Sequence, residues 1–174
     1  MRYRAAREIP YDAEVIWGVL ADLRSHFTAS DPYHHDLRFL TKEEQGLGTK
    51  FEVRHTYWPV FPFAPDRMEC TVTDWTPGKR LVIKERNEHA YRNHTQIFSI
   101  ERLGQRRSLL TYEIAYIGIP AVLFPLRLWV NRKVEERMRE KLGELAVECR
   151  YWEPPKQAPV TTTRAAAQTL YQSP

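Results

Sequence analysis

Along residues 2–9 apolar and polar positions alternate weakly, and the run stops at Ile9-Pro10, the pattern of a first strand. Asp12 then stands where an N-cap would. Val15, Ile16, Val19 and Leu20 recur at helical spacing over 13–20, and Glu14 suits the positive end of the helix dipole. A second short helix over 23–29 is stopped by Asp31-Pro32. Six strand-like runs follow, at about 36–42, 49–58, 66–75, 80–87, 92–101 and 108–117. Residues 121–150 read as one long helix, about 45 Å at 1.5 Å per residue. Its apolar stripe is Leu126, Val130, Val134, Met138, Leu142, Leu145 and Cys149. After Trp152 proline, threonine and alanine take over, so the pattern divides the chain into one domain over 1–152 and a flexible tail over 153–174.

The turns between the strands are uneven. Gln45-Gly46-Leu47-Gly48, Thr76-Pro77-Gly78 and Leu103-Gly104 are compact, whereas 58–66, 87–92 and 117–122 lack tight-turn chemistry. In an antiparallel meander alternate connections share an end of the sheet. The domain is therefore expected to have a closed end and an open end.

Period-two sorting places Phe51, Val53, His55 and Tyr57 on one face, with Met68, Cys70 and Val72. Leu81, Ile83 and Glu85 join them, as do His94, Gln96, Phe98 and Ile100, and Leu110, Tyr112, Ile114 and Tyr116. Charged residues, with Val82 among them, fall on the opposite face, which is read as solvated. The long helix is expected to cover the apolar face. Towards the open end that face turns polar, through His55, Tyr57, Glu85, His94, Gln96 and Tyr116.

Composition narrows the function classes only slightly. The 174 residues carry a formal charge of +4 and 12% aromatics. The excess of base forms no run, and no RNA-recognition motif accompanies it, so nucleic acid is not expected as a partner. Two distant cysteines, Cys70 and Cys149, support neither a disulfide framework nor a metal knuckle. Cys70 reads as a small core residue. No signal-like apolar core opens the sequence, and Ile117–Leu126 is too short to span a bilayer, so a cytoplasmic setting is expected, peripheral to a membrane at most. His34-His35-Asp36 lacks spaced further ligands, so the reading is structural and no metal or cofactor is expected.

The segment Ile9-Pro10-Tyr11-Asp12-Ala13-Glu14-Val15-Ile16-Trp17-Gly18-Val19-Leu20-Ala21-Asp22-Leu23 resembles the opening of START-like SRPBCC proteins. Val72-Thr73-Asp74-Trp75-Thr76-Pro77-Gly78-Lys79-Arg80-Leu81 is similar to that superfamily's strand–turn–strand. The element order over 2–150 matches the helix-grip topology. The resemblance is to the polyketide cyclase/dehydrase and lipid-transfer-like group. It implies an α+β fold, a curved antiparallel sheet of about seven strands wrapped around a long C-terminal helix, with two short helices after the first strand. It also implies a hydrophobic cavity between sheet and helix, without fixing a ligand or shared catalytic residues.

Pocket-lining candidates on the inward face are Val53, His55, Tyr57, Met68, Ile83, Glu85, His94, Gln96, Phe98, Tyr112, Ile114 and Tyr116, with Leu126, Val130 and Val134 from the helix. Glu85 with His55 or His94 would make an acid–base group if the protein were an enzyme. No nucleophile or oxyanion motif accompanies them, and a non-catalytic carrier of a lipid, isoprenoid quinone or polyketide-like ring is the leading expectation. A cyclase or dehydratase, or an interaction module with a self-plugged cavity, are the alternatives. Trp58, Phe61, Phe63, Ile119, Leu123 and Phe124 would rim the pocket mouth, either as a gate that touches a membrane transiently or as a plug.

Overall fold

The computed structural model describes residues 2–28, 34–55, 66–86, 93–116 and 127–152. In chain order the elements are β1 (Arg2–Ile9), α1 (Ala13–Ala21), α2 (Leu23–Thr28), β2 (His34–Phe39), β3 (Lys50–His55), β4 (Asp66–Thr76), β5 (Arg80–Arg86), β6 (His94–Gly104), β7 (Arg107–Tyr116) and α3 (Arg127–Tyr151). The strands make one antiparallel sheet in the order β1-β7-β6-β5-β4-β3-β2. Consecutive strands pair except that β1 closes onto β7. The two short helices therefore carry the chain from one edge of the sheet to the other.

The compact turns lie where Gly and Pro place them. Gly78 (φ 69°) allows Lys79 N–H to bond Thr76 O at 3.0 Å between β4 and β5. Between β6 and β7 a non-glycine, Arg106, takes the left-handed conformation (φ 55°), and its N–H donates to the Asp12 carboxylate at 3.0 Å. This alters one expectation. Asp12 holds the N-cap position of α1 but makes no side-chain cap bond, because the β6–β7 turn claims its oxygen.

Period-two sorting holds on the concave face. Phe51, Val53, Met68, Cys70, Leu81, Ile83, Phe98 and Leu110 are all buried. Val82 departs from it, buried although it points outward. Its register partner Asp74 forms a 3.2 Å ion pair with Arg80, two residues away along β5. Strand β2 ends at Phe39 rather than near 42, because Leu40 and Thr41 both turn their N–H groups onto Lys50 O.

Three helices share the concave face. Helix α3 packs on β1, α1 and β7, α1 also on β6, and α2 on β2. Met138, Leu142, Leu145 and Cys149 form the buried stripe of α3. At its C-terminal end the Trp152 indole lies against Gly18 of α1, where a Cβ would sit 2.2 Å from the ring. Residues 121–126 and 153–174 lie outside the described residues, as do 56–65, 87–92 and 117–120.

Candidate functional site

The site forms where β5 ends, β6 begins and β7 ends. Alternation puts Glu85, His94, Gln96, Tyr112 and Tyr116 on the concave side, and register then brings them together. Glu85 stands opposite His94, and His94 opposite Tyr116. Glu85 is wholly buried, and His94, Gln96 and Tyr112 nearly so.

A directed network orders these groups. Tyr112 OH donates to Gln96 Oε1 at 2.8 Å, and Gln96 Nε2 donates to Glu85 Oε1. The amide orientation of Gln96 is thereby fixed from both ends. The other carboxylate oxygen, Glu85 Oε2, lies 3.3 Å from His94 Nε2, within ion-pair distance, but accepts no aligned hydrogen bond among the described residues. A buried acceptor left in that state costs about 1–3 kcal/mol, more when charged.

Aromatic rings continue the cluster on both sides. The Tyr116 ring is 5.1 Å from that of His94, and Tyr3 of β1 meets Tyr116 edge-on at 6.0 Å. Tyr3 OH donates to Asn131 Oδ1 of α3 at 2.7 Å, tying helix to sheet beside the site. Burial first, and then the Glu85 charge, raise the Tyr116 phenol above its ordinary value, so it remains a neutral O–H near neutral pH. On the other side Phe98 stacks flat on Tyr112 (4.5 Å, 3°) and His26 of α2 stands edge-on to Phe98 at 5.1 Å. Lys141 Nζ of α3 donates to His26 O at 3.0 Å, and both residues are buried.

The structure brings Glu85 and His94 together, with Gln96, Tyr112 and Tyr116 around them. Val53, Met68, Ile83, Phe98 and Ile114 are buried in the hydrophobic core, and Val134 of α3 is half-buried against it. His55 belongs to β3, but its side chain is outside the described residues, and the same holds for Val130 in α3. Tyr57, Trp58, Phe61, Phe63, Ile119, Leu123, Phe124 and Leu126 lie outside them altogether. Four participants, Tyr3, His26, Asn131 and Lys141, are not among the residues the pattern nominates. Lys141 had a signal, since it falls three residues after Met138 and four before Leu145, on the apolar face.

Among the described residues no three His, Cys, Asp or Glu side chains gather as a metal site. His34 is instead buried, edge-on to Phe27 at 5.0 Å. Burial, then the charges of Glu85 and Glu69, push the Cys70 thiol well above its ordinary range, as befits an inert core residue. A cleft of about 370 Å³ lies away from the cluster, lined by Asp36, Arg38, Glu52, Val53, Arg54 and Arg67. Its charged residues pair with one another at 3.1–3.7 Å and form a solvated surface.

The family model described as polyketide cyclase / dehydrase and lipid transport matches residues 1–150. No curated protein matches the sequence. Among solved structures, TTHA0849 from Thermus thermophilus is similar with a TM-score of 0.68 at 17% identity, over 87% of this chain and 98% of that one. A START superfamily protein from Mycobacterium smegmatis is similar at 0.68 and 15%, over 86% and 97%. The di-domain ARO/CYC StfQ from the steffimycin biosynthetic pathway is similar at 0.66 and 13%, over 86% of this chain and 51% of that one. At these identities the likeness is one of fold.

Proposed function

Because the chain belongs to the polyketide cyclase / dehydrase and lipid transport family, we propose that it binds a hydrophobic small molecule between sheet and helices and carries it unchanged. One observation carries this reading. In an apolar concavity the Glu85 carboxylate is oriented by Gln96 and Tyr112 yet keeps one oxygen without an aligned donor among the described residues. Apolar walls supply affinity for a lipid, quinone or polyketide-like ring, and a hydroxyl or N–H on the ligand completes Oε2. The half-buried Tyr116 and Val134, beside the buried walls, are the natural point of entry.

Native mass spectrometry of the protein after incubation with a total lipid extract tests the proposal. A discrete bound species, lost in Val134→Arg, is the expected result. A bare protein mass across varied extracts would overturn it and favour an interaction module whose concavity is filled by its own side chains.

A second reading rests on the 3.3 Å approach of His94 to Glu85 beneath Tyr116, an arrangement suited to acid–base chemistry on the same ligand. His94→Ala separates the two. It would abolish turnover in an enzyme while leaving ligand exchange by a carrier largely intact.

A further inference from the structure

The first turns of α3 carry an exposed surface that the core does not explain. Leu128 is 84% exposed and Trp129 43%. Among the described residues the other exposed large apolar side chains are Leu40, Leu47 and Leu103, outside α3, and Val147 with Tyr151, one turn apart at its C-terminal end. Leu128 and Trp129 are adjacent. Four residues on, each is followed along its own helix face by a cation, Arg132 after Leu128 and Lys133 after Trp129. The helix opens with no acidic residue in its first turn, where the dipole would favour one, and Arg127 stands there instead. Arg132 and Lys133 share a single carboxylate, Glu136, at 2.9 and 2.7 Å, so these three side chains together leave one net positive charge.

We propose that this end of α3 docks on an anionic bilayer surface, with Leu128 and Trp129 inserted and Arg132 and Lys133 at the phosphates. The spacing fits. Four residues of helix separate apolar tip from cations by about 6 Å, comparable to the depth at which interfacial side chains enter the acyl boundary. Indole suits that boundary, and long basic stems reach back to the headgroups. A bilayer fits better than a protein partner because the cations lie one turn along from the apolar pair, the Arg132 side chain 80% and the Lys133 side chain 40% exposed.

The position gives the contact a purpose, which rests on the binding reading above. Asn131, between the apolar pair and the cations, is the residue that holds Tyr3 beside Tyr116 and His94. The docking tip is therefore within one helical turn of the candidate site, at the open end. A ligand drawn from a bilayer would meet the protein there.

Flotation of the ligand-free full chain with vesicles tests the proposal. We expect binding to phosphatidylcholine mixed with phosphatidylglycerol, weaker binding to phosphatidylcholine alone, and loss of the difference at high salt. Leu128→Ser with Trp129→Ser should weaken binding about tenfold or more, and Leu128→Ser alone, at a residue 84% exposed, should weaken it with an unchanged melting temperature. Arg132→Gln with Lys133→Gln should remove the preference for anionic vesicles. Absence of flotation with either vesicle, or flotation indifferent to the Leu128/Trp129 change, would overturn the proposal. So would a concentration-dependent dimer, abolished by that change, in a protein that does not float. Ligand uptake by native mass spectrometry needs no vesicle, so its failure would strike the binding reading and leave the docking result standing.

Discussion

Glu85 combines complete burial, one accepted hydrogen bond and one oxygen without an aligned donor among the described residues, and this makes its substitution informative. Glu85→Gln removes the charge but keeps an oxygen for Gln96 Nε2. Taking a carboxylate out of water is costly, so the empty protein should melt at the same or a higher temperature while ligand affinity falls. A loss of several kcal/mol in denaturant unfolding would instead make the His94 contact a structural ion pair, and the binding role would not survive. Tyr112→Phe probes the same chain from its far end. It strips Gln96 Oε1 of its donor and should cost about 1–2 kcal/mol by the same assay. The thiol of Cys149 is pushed up to about 12, chiefly by burial. Between the ordinary thiol value of 9.0 and about 12 the folded chain retains a proton that the unfolded chain has lost, so stability falls as pH rises through that window. Cys149→Ala should lessen this alkaline decline in urea midpoints measured from pH 8 upward; an unchanged slope would assign the decline to other groups, with the buried Cys70 thiol, also raised, the first to examine and Tyr116 the next.

Between elements, the contacts that set the site's frame join residues far apart in sequence. Period two exposed the concave set on β3 to β7, and the Gly-containing turns marked the closed end, because both signals are local. Glu85, His94, Gln96 and Tyr116 were legible for that reason. Tyr3 with Asn131, 128 residues apart, and Lys141 with His26, 115 apart, were not, since no local period says which strand a helix will lie on. The irregularity between Val72 and Asp74 was equally hidden, for no glycine or proline stands between them. Lys141 shows what such a contact does. Its ammonium fastens the carbonyl of His26 to α3, and His26 in turn flanks Phe98 on the wall. Lys141→Met keeps most of the stem volume but leaves that buried carbonyl without this donor. It should cost about 1–3 kcal/mol and speed amide exchange in α2 more than in β6 or β7. Equal acceleration in all three elements would mean that Lys141 supports the whole core rather than one helix.

The whole molecule is a sheet whose two edges, β1 and β2, are bridged by α1 and α2, with α3 laid along the β1 side. In such an arrangement α3 must be held at both ends if the concavity is to keep its shape. Near its N-terminal end Asn131 receives Tyr3 OH; at the other, Trp152 fills the place a side chain at residue 18 would occupy. Since Trp152 is also where the composition shifts, we propose that the folding unit extends to this indole and no further. A chain ending at Trp152 should then unfold at the same temperature as the full chain, whereas Trp152→Ala should lose the packing of a large aromatic ring, about 3 kcal/mol where such a ring is fully buried and less for this half-buried one. At 2–4 °C per kcal/mol for a domain of about this size, the difference amounts to several degrees. Gly18→Val attacks the same joint from α1, because its added carbons would overlap the ring. Combined with Trp152→Ala it should cost less than the sum of the two, since the second change vacates the space the first requires. Additive losses would mean that the indole and the glycine do not form one joint, and that α3 is anchored at this end by Cys149 and Leu145 alone.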